Sequence, residues 1–400
     1  MTRLWDKGSP LDERVLAYTA SEDHLLDERL VAYDARASIA HAQMLHAQGL
    51  LSAADCEAIE EGLEALAAEH ARGGWRIELA DEDGQTALEK RLTARIGAVG
   101  GRVHLGRSRN DQVLTALRLY LRDVTEQLAA GAETVAAALD RLADRQGELV
   151  LPGYTHMQQA MPSSVALWAE GFAAELRDDA AGLRAVRRRI DKSPLGSAAG
   201  YGTPGLPIDR EATREALDFA TTHSPVTAVQ LSRGKAEAHL LFEITLLMQD
   251  LGRFAADVCL FYTQEFAFID LPDAFTTGSS IMPQKRNPDV FELLRGRTAT
   301  AHACLLEALG IFAKLPSGYQ RDLQLLKAPL FRGIDLALAS AALLPAAIDA
   351  MAFRPEQLWL DPAVHAAERA NELVVREGIP FREAYRRVAA QLRHDPEDES

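Results

Sequence analysis

Very long stretches with helical apolar spacing constrain this chain more than any other feature. Across 232–268, Leu240, Ile244, Leu247, Leu251, Phe254 and Val258 recur at alternating steps of four and three. The other faces carry Leu241, Phe242, Leu246 and Met248, so a helix there is apolar nearly all round. Such a helix belongs inside a bundle or an oligomer. Four further stretches share the character: 110–142, with Val113, Leu117, Tyr120, Val124 and Leu128 in register, then 162–190, 290–313 and 326–353, the last kinked at Pro345. Long helices with short connections imply a bundle.

The flanks are different. Residues 1–109 read as shorter helices at 25–48, 52–72 and 86–96, with Ser52 as an N-cap and Gly73-Gly74 as a stop. Strand signals are confined to 76–79 and 102–105. Residues 354–400 hold helices at 368–377 and 381–392 and a charged tail from Arg393 that is expected to be disordered. The expectation is an all-α chain in three domains: 1–109, a central five-helix bundle at 110–353, and a small helical domain at 354–400.

Of the 400 residues, 48% are hydrophobic and 25% charged, as in ordinary globular proteins. A net charge of −15 argues against nucleic acid, which needs a basic face, so an anionic substrate requires a local cluster of cations. Three widely spaced cysteines lack zinc-ligand or disulfide spacing and suit a reducing compartment. The first ten residues have no apolar signal core, and no run approaches the roughly 18 apolar residues of a membrane span. A cytoplasmic protein without a membrane anchor is expected.

Four polar islands interrupt the helical patterns. Gly106-Arg107-Ser108-Arg109-Asn110-Asp111-Gln112 heads the first long helix, where a cap and exposed N–H groups favour an anion. Pro152-Gly153-Tyr154-Thr155-His156-Met157-Gln158 places a histidine beside a hydroxyl at a loop end; a carboxylate orienting it would fit it for proton transfer. In the third, 276–292, Gly278, Ser279 and Ser280 precede Gln284-Lys285-Arg286-Asn287, bracketed by Pro283 and Pro288. If extended, that run points Lys285 and Asn287 to one side, a cation and a neutral donor for one carboxylate. A flexible loop of this kind between helices suits a closing lid. The fourth island supplies Tyr319, Arg321, Gln324 and Lys327 within nine residues. Solvated loops and plain helix starts would account for each island taken alone. There is no GxGxxG after a strand, no P-loop, no HExxH and no GxSxG. The islands point to carboxylate-rich substrate chemistry without a metal or other cofactor.

Together they resemble the fumarase/aspartase superfamily, and within it the argininosuccinate lyases. GSSIMPQKRNPD is close to the superfamily signature, and HLGRSRNDQV, PGYTHMQQAMP, SPLGSAAG with PIDR, and SGYQRDLQLLK look like the argininosuccinate lyase versions of the surrounding regions. Tyr33-Asp34, Ser38 and Ala40-His41-Ala42 extend the resemblance towards the N-terminus. It implies a homotetramer with a 20-helix core, each active site built from three subunits, and reversible anti β-elimination of argininosuccinate to arginine and fumarate. On this resemblance Ser279 is the base, Lys285 stabilises its alkoxide, and His156, oriented by Glu292, serves proton transfer to the leaving nitrogen. Thr155, Ser108, Arg109 and Asn110 bind the succinyl carboxylates, Asn287 joins Lys285 on the reacting carboxylate, and Tyr319, Arg321, Gln324, Lys327 and Asp83 meet the rest of the substrate.

The chain departs from the family pattern at several positions. Asp23 aligns with a substrate-contacting serine, Gln85 stands for a usual His, Arg321 for a usual Lys, and 229–235 replaces an SDRD-type segment; the C-terminus is short. These changes bear on the arginine side. Other fumarate-releasing lyases (fumarase, aspartase, adenylosuccinate lyase) and a non-catalytic crystallin-like oligomer are the alternatives.

Overall fold

The computed structural model describes residues 12–393; the first eleven residues and most of the charged tail lie outside them. In chain order, α1 (Val31–Ala47), α2 (Ala53–Ala71) and α3 (Gly84–Ile96) precede the long α4 (Arg109–Gln146). A hairpin of β1 (Val150–Thr155) and β2 (Gln158–Ser164) follows, then α5 (Val165–Ala185), α6 (Lys235–Phe261), α7 (Asp289–Phe312) and α8 (Lys327–Ala350). Helices α9 (Ala366–Glu377) and α10 (Phe381–Leu392) come last. The fold is all-α, as the sequence periodicity requires.

Two compact units emerge. One gathers the described residues up to Ala130 with Ala180–Leu246 and Ala299–Leu338; the other gathers Gly131–Asp179, Leu247–Thr298 and the described residues from Ala339. The division falls within α4, α5, α6, α7 and α8.

In the first unit, α1, α2 and α3 bury Leu45, Ile59, Leu63, Leu88 and Leu92 in one cluster. Each such leucine contributes about 2 kcal/mol by leaving water. A Cβ at Gly62 would lie 2.6 Å from Leu92 Cδ1, so glycine sets how closely α2 and α3 approach. Ser52 caps α2 by accepting the Asp55 N–H at 3.1 Å, and Asp83 caps α3 by accepting that of Thr86 at 2.8 Å.

A single helix over 25–48 is not what forms. A 3-10 turn at Asp27–Leu30 breaks it, because Asp27 and Glu28 are bound elsewhere: Asp27 accepts the Gly84 N–H at 3.0 Å, and Glu28 that of Ile77 at 2.7 Å. Nor do the two expected strands form. Ile77 bonds a side chain rather than a neighbouring strand, and 102–105 lies in and just after a 3-10 helix at Gly97–His104. A Cβ at Gly100 would sit 2.7 Å from Thr93 N, so that segment folds back on α3 as no side-chain-bearing residue could.

In the second unit, Trp168 packs against Phe254, Phe261 and Phe353 at 5.5, 5.6 and 5.6 Å, and its indole N–H reaches Asp257 at 2.9 Å. Ala370, Ala384 and Val388 join α9 to α10. The helix expected from residue 162 starts at Val165, because the preceding residues pair antiparallel with β1. Segment Arg321–Ala350 is long and apolar enough by composition to span a bilayer, and half of its apolar window is buried within the chain, as in a core helix.

Candidate active site

The first unit contains a cavity of ≈ 120 Å³ into which two of the polar islands project. Arg109 and Asn110 reach it from the head of α4, Asp83 and Gln85 from the head of α3. Tyr319, Arg321, Gln324 and Lys327 come from the fourth island, and Asp23 and Arg233 complete the polar wall.

Local structure aims these groups. Ser108 caps α4, its Oγ accepting the Asn110 N–H at 3.3 Å and its carbonyl the N–H groups of Asp111 and Gln112. Asp111 is fully buried and accepts N–H bonds from Ser108, Gly196 and Ala198 at 3.0, 3.0 and 2.8 Å, fixing the head of α4 to the SPLGSAAG loop. Below that head, the buried Arg107 donates to Ser38 Oγ at 2.8 Å, and His41 bonds the Leu105 carbonyl at 2.8 Å. Asp34, Ser38 and His41 are all buried there. They support the loop that carries Ser108, Arg109 and Asn110.

Gln324 and Lys327 share a face because 3-10 helix covers Arg321–Leu326, and residues three apart eclipse in that geometry. Arg321 and Gln324 both donate to the Thr19 carbonyl, at 3.0 and 2.9 Å. Arg109 pairs with Asp83 at 3.1 Å and Glu82 at 3.4 Å. Lys327 is buried and meets two carboxylates, Asp27 at 2.6 Å and Asp23 at 3.0 Å. Burial alone would pull its ammonium down, and the two carboxylates outweigh that and hold it above the ordinary lysine value. Burial pushes the Asp23 carboxyl up to about 7, Lys327 pulling against and Asp27 adding to the push. Arg233 has its guanidinium 5.6 Å from the Tyr319 ring centroid; its Nε and Nη1 are buried without a hydrogen-bond partner among the described residues. Its Nη2 donates to the Leu323 carbonyl at 3.4 Å, so Nε and Nη1 offer N–H donors on two different sides of the guanidinium.

The remaining candidates lie in the second unit. Thr155 and His156 sit at the tip of the β1–β2 hairpin, where Thr155 pairs with Gln158 and the two-residue turn is His156-Met157. Both turn residues have left-handed φ, 54° and 63°. The hairpin is anchored by Gln159, which donates to the Trp359 carbonyl at 3.1 Å and accepts the Asp361 N–H at 2.9 Å. The 276–292 loop is closed at its base by reciprocal N–H···O bonds between Thr277 and Asn287, 3.0 and 2.8 Å, and by Thr277 Oγ1 donating to Asp289. Lys285 and Asn287 do not form one extended run, because the Lys285 N–H turns back to the Met282 carbonyl at 3.0 Å. Ser279 Oγ accepts the N–H groups of Ile281 and Met282 at 3.3 and 3.2 Å. Glu292 lies in the first turn of α7 with an exposed side chain. Neither His156 nor Glu292 makes a side-chain hydrogen bond or ion pair among the described residues.

Sequence reasoning missed Arg233 in the wall and Asp27 as the buried partner of Lys327. Arg233 lay in the segment marked as departing from the family, and its separation from every other polar island hid its destination.

The fold and these loops define a lyase. A family profile described as Lyase matches residues 9–302. The argininosuccinate lyase of Sorangium cellulosum (strain So ce56) is 50% identical over 392 residues, covering 98% of this chain and 90% of that protein. The argininosuccinate lyase of Xylella fastidiosa (strain 9a5c) is 44% identical over 390 residues, covering 96% and 87%. Among solved structures, EDDS lyase in complex with formate superposes with a TM-score of 0.81 at 26% identity, covering 96% of this chain and 76% of that one. The chain belongs to the lyase family of the fumarase/aspartase superfamily, with the argininosuccinate lyases as its relatives.

Proposed function

We propose that this chain catalyses the reversible anti β-elimination of L-argininosuccinate to L-arginine and fumarate, within arginine biosynthesis. The observation that carries the chemistry is the environment of Ser279. A serine hydroxyl is a weak base unless its alkoxide is stabilised. Two backbone N–H groups already converge on Ser279 Oγ, and they bind an alkoxide more strongly than a hydroxyl. Ser279 takes the proton from the succinyl Cβ, and the electron pair passes into the adjacent carboxylate to form an aci-carboxylate. Lys285 and Asn287 hold that dianion. The pair then expels the guanidinium nitrogen, forming the fumarate double bond, and His156 returns a proton to the leaving group directly or through water.

Glu292 orients His156 from another protomer, and Ser108, Arg109, Asn110 and Thr155 bind the succinyl carboxylates. Asp83, Tyr319, Arg321, Gln324 and Lys327 grip the arginine half. This reading carries a homotetramer with a 20-helix core, sites shared by three protomers, and the three-domain division at 109 and 353. Support for assembly comes from apolar side chains that the single chain leaves exposed: Phe242 on α6, Leu293 and Leu306 on α7, and Leu343 on α8. A cytoplasmic setting fits three cysteines that are all unpaired.

The test is direct. Purified protein given argininosuccinate should generate fumarate, followed by its ultraviolet absorbance, and Ser279→Ala should lose at least about a thousandfold in kcat while keeping its assembly state. Fumarate from adenylosuccinate or aspartate, with none from argininosuccinate, would overturn the substrate assignment.

A further inference from the structure

Lys327 is a single ammonium between two carboxylates, both within 3.0 Å. Asp27 is fully buried and also holds the Gly84 N–H, so it is committed to the fold. Asp23 is different. Its Oδ2 meets Lys327, its Oδ1 has no hydrogen bond among the described residues, and it lines the cavity. With both carboxylates ionised the trio carries one negative charge more than its cation balances, and Asp23 turns that surplus towards the cavity. The same cavity holds the converse group: Arg233, 4% exposed, whose Nη2 donates to the Leu323 carbonyl while Nε and Nη1 have no hydrogen-bond partner among the described residues. Buried N–H groups of a cation left without an acceptor are costly, and a ligand anion in the cavity would remove that cost.

Resting on the argininosuccinate reading above, we propose that Asp23 is a specificity-determining residue that accepts the α-ammonium group of the arginine half, while Arg233 takes the neighbouring α-carboxylate. A serine at position 23 offers one neutral oxygen to that ammonium; a carboxylate offers a charged acceptor, and charge-assisted bonds are roughly twice as strong. The upward push on the Asp23 carboxyl, to about 7, agrees with this geometry, since an arriving ammonium supplies the compensation that Lys327 leaves incomplete. The result is a site that selects an α-amino acid over the same guanidino chain without its amino group.

The test runs the reaction backwards. Fumarate is supplied with L-arginine or with 5-guanidinopentanoate, its des-amino analogue, and kcat/KM is measured for each with the assembled wild-type enzyme and with Asp23→Asn. Wild type should prefer arginine by about tenfold or more, the worth of a hydrogen bond to a charged group. In Asp23→Asn the preference should fall towards unity, mainly through KM for arginine. Asp23→Ser, which shortens the side chain and keeps an oxygen, provides the same comparison if the Asn variant does not assemble. A variant that loses both substrates equally would show that Asp23 only supports Lys327, and the inference would fail. So it would if wild type showed no preference. Absence of any turnover of argininosuccinate by wild type would instead remove the functional reading on which this rests.

Discussion

At the scale of single residues, His41 shows how burial sets a charge state beneath the site. Its ring is fully buried, and Nε2 lies 2.8 Å from the Leu105 carbonyl, an acceptor, so Nε2 carries the hydrogen and Nδ1 is bare. Burial pushes the ring down to about 3, with the Arg107 guanidinium and His104 opposing a second proton and the Leu105 carbonyl favouring it. The unfolded chain takes that proton from about pH 6.5 downwards, whereas the folded chain refuses it until about 3. Stability is therefore present above pH 6.5 and lost as pH falls through this window, by up to about 5 kcal/mol. His41→Gln removes the titration. It should be less stable than wild type near neutrality, and denaturant midpoints should show the gap narrowing as pH falls towards about 4. A gap that stays constant with pH would mean that His41 does not stay neutral in the fold.

At the scale of elements, the hairpin that presents Thr155 and His156 carries visible backbone strain. Its two-residue turn needs φ > 0 at both central positions, where Asn-Gly is favoured, and this chain places His and Met. A side chain in the left-handed region costs on the order of 1 kcal/mol or more. Met157 is mostly exposed, so little packing offsets that cost. Met157→Gly should then raise stability by about 1 kcal/mol, read from the thermal midpoint and from slower amide exchange along β1 and β2. A drop in stability would show instead that the Met157 side chain is packed in the assembled protein. On the proposed mechanism, the same strain at His156 serves to present its imidazole.

This hairpin also marks the limit of what the sequence disclosed. The long helices were legible because a four-three apolar rhythm over twenty or more residues has few alternatives. The hairpin was not. Leu151-Pro152-Gly153-Tyr154 breaks alternation, and His-Met is no turn signal, so strands read as a loop. The polar islands disclosed the residue types of the candidate site, while Asp27 and Arg233 stayed hidden because the groups they face, Lys327 and Tyr319, lie far away in sequence. Asp27 meets Lys327 across 300 positions, and no local pattern encodes such a pair.

For the molecule as a whole, the proposed chemistry demands more than one chain supplies alone. His156 and Glu292 are exposed, and neither side chain has a bonding partner among the described residues, although the proposed mechanism pairs them. Closed symmetric assembly answers that demand, because a patch exposed on one protomer is met by a different patch of another. It also makes a sharp prediction. Ser279→Ala and His156→Asn should each be inactive when assembled alone. If Ser279 and His156 of one site come from different protomers, mixed tetramers contain some sites where both are intact. Dissociating the two variants in mild denaturant and reassembling them together should therefore restore a measurable part of wild-type activity. Separately reassembled controls should remain inactive. If both residues served a site from the same protomer, every site in the mixture would lack one of them. Mixed assemblies of confirmed composition that stayed inactive would place the pair on one chain and overturn the shared-site reading.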